Sequence, residues 1–339
     1  MSPADRTTGP TAGSEAGVSV RGSTGTDAGT DPRVVRGSVA ASVARELVAA
    51  LVDDAATFPP ANATMLDVVQ TRAMYEDSWF AELLGPVVLR ADRAPEVLAA
   101  LAVTGSAART STAPLPVTVT VPGGPAAVRA AVAAVADPAL DPVSFEVPLG
   151  PAGPEPSLLR STRLQLPGRA PLYVELPGSV DPVEAMPVLR EAGVRAKLRT
   201  GGTSAAAFPD ASSVARFVHA AVTAGVPFKA TAGLQNALRH RDEDTAFEHH
   251  GFVNLLAATT AVLLHGAGEP QVQALLSSRD AEQLLELLTS LDADQAHRVR
   301  EAFVSFGSCS TVEPVEDLAA LGLIARPGLE VAVSRRGGA

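Results

Sequence analysis

Short apolar segments alternate with longer segments of helical spacing along most of the chain. Runs of four or five residues, many of them β-branched, predict strands, and the stretches between them predict helices. Seven strands are predicted in this way: residues 86–90, 117–121, 143–147, 172–176, 194–198, 227–230 and 302–306. Helices are predicted over residues 65–84, 94–103, 125–135, 182–192 and 211–224, in a helical region 251–300 and over 314–321. This alternation is typical of parallel βαβ units.

The segment before Phe58 is ambiguous. Residues 39–52 have helical spacing, but residues 47–58 also fit a strand that contains Asp53. Two acids at a helix end would be unfavourable for the helix dipole, which favours the strand. With it the count is eight, the number that closes a (β/α)8 barrel, whereas without it an open doubly wound sheet of seven strands remains. Neither glycine-rich nucleotide-binding motif of open sheets is present, so we predict the α/β class and a single (β/α)8 TIM-type barrel over residues 37–328.

The two ends of the chain differ from the predicted barrel. Residues 1–36 are rich in Gly, Ser, Thr, Ala and Asp and nearly devoid of large apolar residues, so we expect a disordered tail. This stretch also lacks the apolar run of a signal peptide. Residues 329–339 are expected to be a flexible C-terminal tail.

Charge and cysteine content exclude several classes of partner. The net charge of −10 argues against nucleic acid, and the most apolar stretch, residues 252–264, is too short to span a membrane. The single cysteine, Cys309, allows no intrachain disulfide and fits a reducing cytoplasm. We therefore expect a cytoplasmic protein whose partner is a small-molecule substrate, and a homo-oligomer is compatible with the sequence.

Lysine is almost absent from the chain. Of 27 basic residues only Lys197 and Lys229 are lysines, and each lies near the end of a predicted strand that runs into a Gly/Thr turn. A buried lysine can lose its proton whereas an arginine cannot, so two lysines at matching strand ends indicate a chemical role. The alternative is chance survival in a lysine-poor composition.

Four successive strands carry one ionisable residue each near their C-terminal ends. These residues are Glu146, Glu175, Lys197 and Lys229. Because side chains alternate between the faces of a strand, all four can point into the barrel mouth, where they would shift each other's pKa. We predict that they are catalytic. The alternative is a buried ion-pair network in which the glutamates neutralise the lysines.

The two lysine segments resemble a known family. Residues 197–201 read Lys-Leu-Arg-Thr-Gly, and residues 228–233, after a helix, read Phe-Lys-Ala-Thr-Ala-Gly. Over about residues 194–233 this pattern resembles that of deoxyribose-phosphate aldolase, a class I aldolase with a (β/α)8 barrel. The resemblance implies that Lys197 is the Schiff-base nucleophile and that Lys229 lowers its pKa. The turn after the second lysine departs from the family's Gly-Gly-x-Arg, no aspartate ends the third strand, and Glu146 and Glu175 are not explained by the family.

The residues themselves allow the same chemistry. A lysine desolvated beside a second cation can be a neutral amine near pH 7 and attack a carbonyl, while Glu146 or Glu175 moves protons. Arg199 would hold a substrate carboxylate or phosphate. The following turn, with Thr200, Gly201 and Gly202, either lends backbone N–H groups to an anion or is a plain connection.

Other polar residues are candidates for substrate binding because they follow predicted strands. The polar loop 235–248 after strand seven is either a lid over the mouth or a solvated surface loop. Cys309 has no histidine partner in sequence and is expected to be a packed thiol. The remaining candidates are Asp53, Thr231, His250, Asn254 and Ser308.

These patterns predict a lysine-dependent, class I aldolase-like lyase that acts on a small, anionic, carbonyl-containing metabolite. No cofactor is expected, since no tight histidine spacing predicts a metal site. One alternative is metal-assisted proton abstraction in an enolase-like barrel, with Glu146 and Glu175 as ligands of a divalent ion and a lysine as the base. A histidine such as His249 or His250 would have to complete the ligand set. A second alternative is a non-catalytic barrel that binds a small metabolite and leaves both lysine pKa values ordinary.

Overall fold

Eight parallel strands close into one barrel in the computed structural model, which describes residues 43–108 and 113–327. Each strand pairs with its neighbours in the chain, and the first pairs with the last. The barrel strands are β1 (Val52–Asp54), β2 (Leu84–Arg90), β3 (Leu115–Thr120), β4 (Leu140–Pro148), β5 (Leu172–Glu175), β6 (Arg195–Arg199), β7 (Phe228–Thr231) and β10 (Phe303–Ser308). A separate antiparallel hairpin consists of β8 (His240–Arg241) and β9 (Glu248–His249). The predicted (β/α)8 barrel is thus confirmed, while the predicted tails 1–36 and 329–339 lie outside the described residues.

Helices connect the strands on the outside of the barrel. The described part contains α1 (residues 43–48), α2 (Met65–Glu76), α3 (Ala94–Ala108), α4 (Val128–Ala134), α5 (Pro156–Arg163), α6 (Pro182–Ala192), α7 (Ala211–Ala224), α8 (Phe252–His265), α9 (Glu269–Ser277), α10 (Ala281–Thr289), α11 (Ala293–Ala302) and α12 (Val312–Ala320). None of them is long and apolar enough to cross a membrane.

The ends of α6 and α7 show how the sequence sets these boundaries. Asp181 and Asp210 cap the two helix N-termini, each accepting a hydrogen bond from a backbone N–H of the first turn. Gly193 and Gly225 end the helices in the left-handed conformation, with φ of +67° and +66°. These caps fix where β6 and β7 begin, and therefore how deep their side chains lie in the barrel.

Three predicted boundaries differ from the structure. The ambiguous first segment contains both elements, because α1 ends at residue 48 and β1 follows it with Asp53 at its centre. The predicted helix 65–84 is too long: α2 ends at Glu76, and β2 has already begun at Leu84. The helical region 251–300 is four separate helices, the first of which ends at Gly266 in the left-handed conformation.

Aromatic side chains pack between the barrel strands and the surrounding helices, as Phe217 of α7 does against Phe228. Phe228 stacks on Phe303 with ring centroids 5.1 Å apart, and Phe252 stacks on Phe306 at 4.6 Å. Arg300 lies at the N-terminal end of β10, where its guanidinium donates hydrogen bonds to four backbone carbonyls. Two of them belong to Phe303 and Val304 in β10, and two to Leu47 and Ala49 at the end of α1.

Candidate active site

A chain of alternating carboxylates and cations crosses the interior of the barrel near the C-terminal ends of the strands. Lys229 Nζ pairs with Asp53 and, at 2.6 Å, with Glu146 Oε1. Lys197 Nζ lies 2.7 Å from Glu146 Oε2 and 3.0 Å from Glu175 Oε2. The series, which we call the ion-pair chain, is Asp53, Lys229, Glu146, Lys197, Glu175 and Arg199.

Strand register explains this arrangement. Lys197 lies opposite Lys229 on one neighbouring strand and opposite Glu175 on the other. Arg195 and Arg199 share a face of β6 with Lys197, because side chains two apart point the same way. Arg195 donates a hydrogen bond to the Tyr173 hydroxyl at 2.9 Å and forms a layer below the ion-pair chain. Arg199 Nε donates to Glu175 Oε1 at 3.0 Å and forms the rim above it.

The inner end of the chain is sealed from solvent. The Lys229 side chain is 1% exposed, and Ser305 Oγ donates a hydrogen bond to Asp53 Oδ2 at 3.1 Å. A Cβ at Gly85 would lie 2.3 Å from Asp53 Oδ1, so only glycine allows this close approach of β2 to the carboxylate. Burial raises the pKa of Asp53, against the opposing effect of Lys229. Neither Ser305 nor Gly85 carries a sequence signal that marks it as part of the site.

Both lysines are held as ammonium ions. Burial alone would lower the pKa of Lys197, but its attraction to Glu146 and Glu175 outweighs burial, so the pKa is raised. Asp53 and Glu146 raise the pKa of Lys229 in the same way. The expectation that Lys229 lowers the pKa of Lys197 is therefore wrong, because Glu146 lies between the two ammonium groups. The arrangement is the buried ion-pair network considered as the alternative.

The central carboxylate of the ion-pair chain is that of Glu146, which lies between the two lysines. Burial would raise the pKa of Glu146, but two flanking lysines lower it to about 2. The pKa of Glu175 is also lowered by Lys197 and Arg199 against the effect of burial. Glu146 is thus a fixed anion, whereas Glu175, with a side chain 19% exposed, is the carboxylate at the solvent side.

A cavity of about 800 Å³ opens above the ion-pair chain. Glu146, Lys197 and Arg199 line it, and the Lys197 side chain is 10% exposed, whereas Lys229 does not line the cavity. A second cavity of about 590 Å³ lies beside it, between the loops that follow β5 and β6, and shares Lys197 and Arg199 with it. Lys197 is therefore the lysine that a ligand can reach.

The predicted binding residues divide into two groups. Gly202, Thr231 and Ser308 line the larger cavity. Thr200 and Gly201 do not: the buried Thr200 hydroxyl donates to Ala232 O at 2.5 Å and so joins the turns after β6 and β7. A Cβ at Gly201 would lie 3.0 Å from Gly233 Cα, which makes its role close packing rather than anion binding.

Two other predictions were wrong because the side chains are used in packing. His250 is fully buried, and its Nε2 lies 2.8 Å from Pro209 O. Asn254 Oδ1 accepts from Arg239 N at 2.9 Å, while its Nδ2 donates to Leu275 O and Ser278 O. Both residues anchor the base of the β8–β9 hairpin, and neither lines the cavity.

The loop predicted as a lid or a surface loop contains the β8–β9 hairpin. His240, Phe247 and His249 from this hairpin line the cavity together with Phe208 from the loop after β6. The free Cys309 also lines it, and its Sγ accepts a hydrogen bond from Gln235 Nε2 at 3.1 Å. The aromatic residues were not predicted, since isolated phenylalanines in loops form no periodic pattern.

The donor atoms of the site do not fit the metal-binding alternative. Within residues 43–108 and 113–327, no group of three or more His, Cys, Asp and Glu side chains could hold a metal ion. Glu146 has a lysine on each carboxylate oxygen, and Glu175 has Lys197 on one and Arg199 on the other.

No protein-family model matches the chain, and no curated protein matches it. Among solved structures, a protein from Burkholderia cenocepacia J2315 described as a "putative lyase/mutase" is 16% identical, with a TM-score of 0.31, over 77% of this chain and 99% of that chain. Neither activity nor substrate transfers at such similarity. The fold and site define a closed (β/α)8 barrel with a charged mouth, and the resemblance to deoxyribose-phosphate aldolase stays a prediction for residues 194–233.

Proposed function

We propose that this protein is a lysine-dependent lyase that binds a small anionic carbonyl compound in the larger cavity and forms a Schiff base at Lys197. One observation carries the proposal. Of the two lysines in the sequence, Lys197 lines the cavity, between the fixed anion Glu146 and the more exposed Glu175 and beside Arg199, whose guanidinium suits a substrate carboxylate.

The ammonium of Lys197 must lose a proton before it can attack a carbonyl. Glu175 is the base we assign, because its Oε2 lies 3.0 Å from Nζ and Glu175 is the more exposed of the two carboxylates beside Lys197. Lys197 lines both cavities, and Glu175 lines the smaller one. A ligand that extends from the larger cavity over both groups removes the remaining water from this pair, which disfavours both charged forms. A substrate carboxylate would also compete with Glu175 for Arg199. Both effects favour transfer of the proton from Nζ to Glu175.

The later steps use the same two groups. The neutral amine adds to the carbonyl carbon, and Glu175 returns its proton to the carbinolamine hydroxyl, which leaves as water. The protonated imine then accepts the electron pair of the bond that breaks, while the Glu175 carboxylate takes the proton of the departing fragment. Lys229 and Glu146 keep a fixed charge pattern beneath the imine.

The raised pKa of Lys197 favours a second candidate function. In this alternative Lys197 stays an ammonium ion and stabilises an enolate, while Glu175 removes a proton from the carbon next to the carbonyl. The product would be an isomer or an exchanged substrate, and no covalent intermediate would form.

Borohydride reduction in the presence of 2-oxo acids, aldehydes and ketones tests the proposal. We expect a stable adduct on Lys197 by intact-mass and peptide spectrometry, and none in Lys197→Arg, which keeps the charge without a nucleophilic amine. Schiff-base chemistry would be contradicted if Lys197 remained unmodified under conditions in which calorimetry shows that the carbonyl compound saturates its site. Exchange of the ligand's α-hydrogen in D2O would then indicate the second candidate, and binding without exchange a non-catalytic barrel.

A further inference from the structure

We infer that the substrate carries, besides its anionic carbonyl head, an apolar group about the size of an aromatic ring, which binds against Phe58, Phe208 and Phe247. We call these three residues the aromatic wall. The position of the head group rests on the proposed function, whereas the aromatic wall is a separate feature of the same cavity.

The aromatic wall comes from three loops that meet over the mouth. Phe58 follows β1, Phe208 follows β6 and Phe247 precedes β9, and all three line the cavity that Lys197 lines. The Phe208 and Phe247 ring centroids are 5.2 Å apart, and the His249 ring lies 4.6 Å from Phe208. All three phenylalanines are half-buried, so part of each ring remains open to the cavity.

Backbone geometry makes room for Phe208. A Cβ at Gly201 would lie 3.0 Å from Phe208 Cε1, and a Cβ at Gly233 would lie 3.3 Å from the same atom. The glycines of the turns after β6 and β7 thus seat this ring above the lysines. The Thr-Gly-Gly turn, predicted to be either an anion site or a plain connection, packs through Gly201 against this aromatic residue.

The hairpin that contains Phe247 is held in place by ion pairs and hydrogen bonds of its own residues. Glu248 on β9 pairs with Arg279 at 2.9 Å and with Arg239 at 3.3 Å. Within the hairpin, Asp242 N donates to Phe247 O at 2.9 Å, and Asp242 Oδ1 accepts from Thr245 N at 2.8 Å. A preformed wall loses little conformational entropy when a ligand packs against it.

The division of the cavity into two chemical regions carries the inference. The ion-pair chain lies at the base, and the aromatic wall lies around the opening. A cavity of about 800 Å³ falls in the range that encloses ligands of drug size. A substrate with only a head group would leave the rings against water, whereas a ring-sized apolar group would cover them.

Two matched ligands test this inference. We expect 4-phenyl-2-oxobutanoate to bind at least about tenfold more tightly than 2-oxobutanoate by calorimetry, because the two differ only in the phenyl group. Phe208→Leu and Phe247→Leu should each reduce this ratio by more than half. Glu243→Gln, at an exposed hairpin position that does not itself line the cavity, should leave the ratio unchanged and is the control. Phe247→Leu decides the question if Phe208→Leu fails to fold.

The pair 4-phenylbutanoate and butanoate, which lack the carbonyl, separates this inference from the Schiff-base proposal. A phenyl preference in this pair, without any borohydride adduct from the oxo acids, would support the aromatic wall and overturn the Schiff base. Equal affinities within both pairs would overturn the inference even if an adduct forms on Lys197. A phenyl preference that both leucine variants retain would overturn it as well, because the ring would then bind elsewhere.

Discussion

Lys197 and Lys229 are the same residue type in the same register on adjacent strands, yet their surroundings differ. Each lies between two carboxylates, but Lys229 and its partners Asp53 and Glu146 are all buried, whereas Lys197 leads outward to Glu175 and to Arg199, which is 51% exposed. Equal positions in a sheet therefore do not imply equal roles. We expect Lys229 and its carboxylates to keep fixed charges, and Lys197 and Glu175 to be the pair between which a proton can move.

Neighbouring strands cause the difference. β7 lies beside β10, and β1 follows β10 in the barrel, so Ser305 and Asp53 enclose Lys229. β6 lies beside β5, whose last residue is Glu175 at the rim. Substitutions that remove one member of the ion-pair chain should therefore have effects that decline from the inner end to the outer end.

The largest effect is expected for Lys229→Met. Asp53 then has no ion-pair partner in the described part of the chain, and Glu146 loses one of two, so the free energy of unfolding should fall by about 3–5 kcal/mol. Denaturant unfolding measures this change. The double variant Asp53→Asn/Lys229→Met should recover most of the loss, and a single variant as stable as the wild type would remove the distinction between the two lysines.

A smaller loss of stability, about 1–3 kcal/mol, is expected for Lys197→Met. Glu146 keeps Lys229 and Glu175 keeps Arg199, so no carboxylate is left without a cation. Borohydride adducts should nevertheless disappear completely. If Lys197→Met proved more destabilising than Lys229→Met under the same denaturant, the assignment of inner and outer ends would be wrong.

Acid should weaken the centre of the ion-pair chain. In the folded protein the pKa of Glu146 is lowered from 4.5 to about 2, so this carboxylate binds a proton more readily in the unfolded chain than in the folded one. Its stabilising effect is therefore fully present above about pH 4.5. That effect is lost as the pH falls from about 4.5 through about 2, by at most about 1.4 kcal/mol per pH unit. The stability difference between the wild type and Glu146→Gln should shrink over this range, and a constant difference would contradict the shift.

The smallest effect on stability, less than about 1 kcal/mol, is expected for Arg199→Met, because the ion pair with Glu175 is half-exposed. The affinity for 2-oxobutanoate should instead fall by about tenfold, as a charged hydrogen bond is lost. Arg160→Met is the matched control, since Arg160 is similarly exposed, pairs with Glu191 and lines neither cavity. Equal losses of affinity in both variants would indicate a general charge effect.

Some residues could be assigned from the sequence, and others could not, for a physical reason. Glu146, Glu175, Lys197 and Lys229 were predicted to meet because strand ends and side-chain alternation are local properties. The direction of the lysine pKa shifts was predicted wrongly, since it depends on Glu146 reaching between two strands that are not its neighbours. Phe208 and Phe247 were not predicted at all.

Polar residues after strands were the least predictable part of the site. Thr200, His250 and Asn254 looked available for a ligand, yet each is bonded to backbone carbonyls or N–H groups far away in the chain. Partners of this kind are set by chain segments that meet only when the barrel closes. A hydroxyl, imidazole or amide has the same appearance in sequence whether its partner is a substrate or a carbonyl.

The sequence by itself determined the alternation of strands and helices and the strand ends that carry charge, because these follow from local hydrophobic patterning. It predicted eight strands only with the ambiguous segment around Asp53 included, and the structure decided that the sheet closes. The tertiary structure alone decided which lysine meets the cavity, which carboxylates surround each ammonium and which rings form the aromatic wall. Those outcomes depend on desolvation and on contacts between distant segments, and both arise only once the barrel has closed.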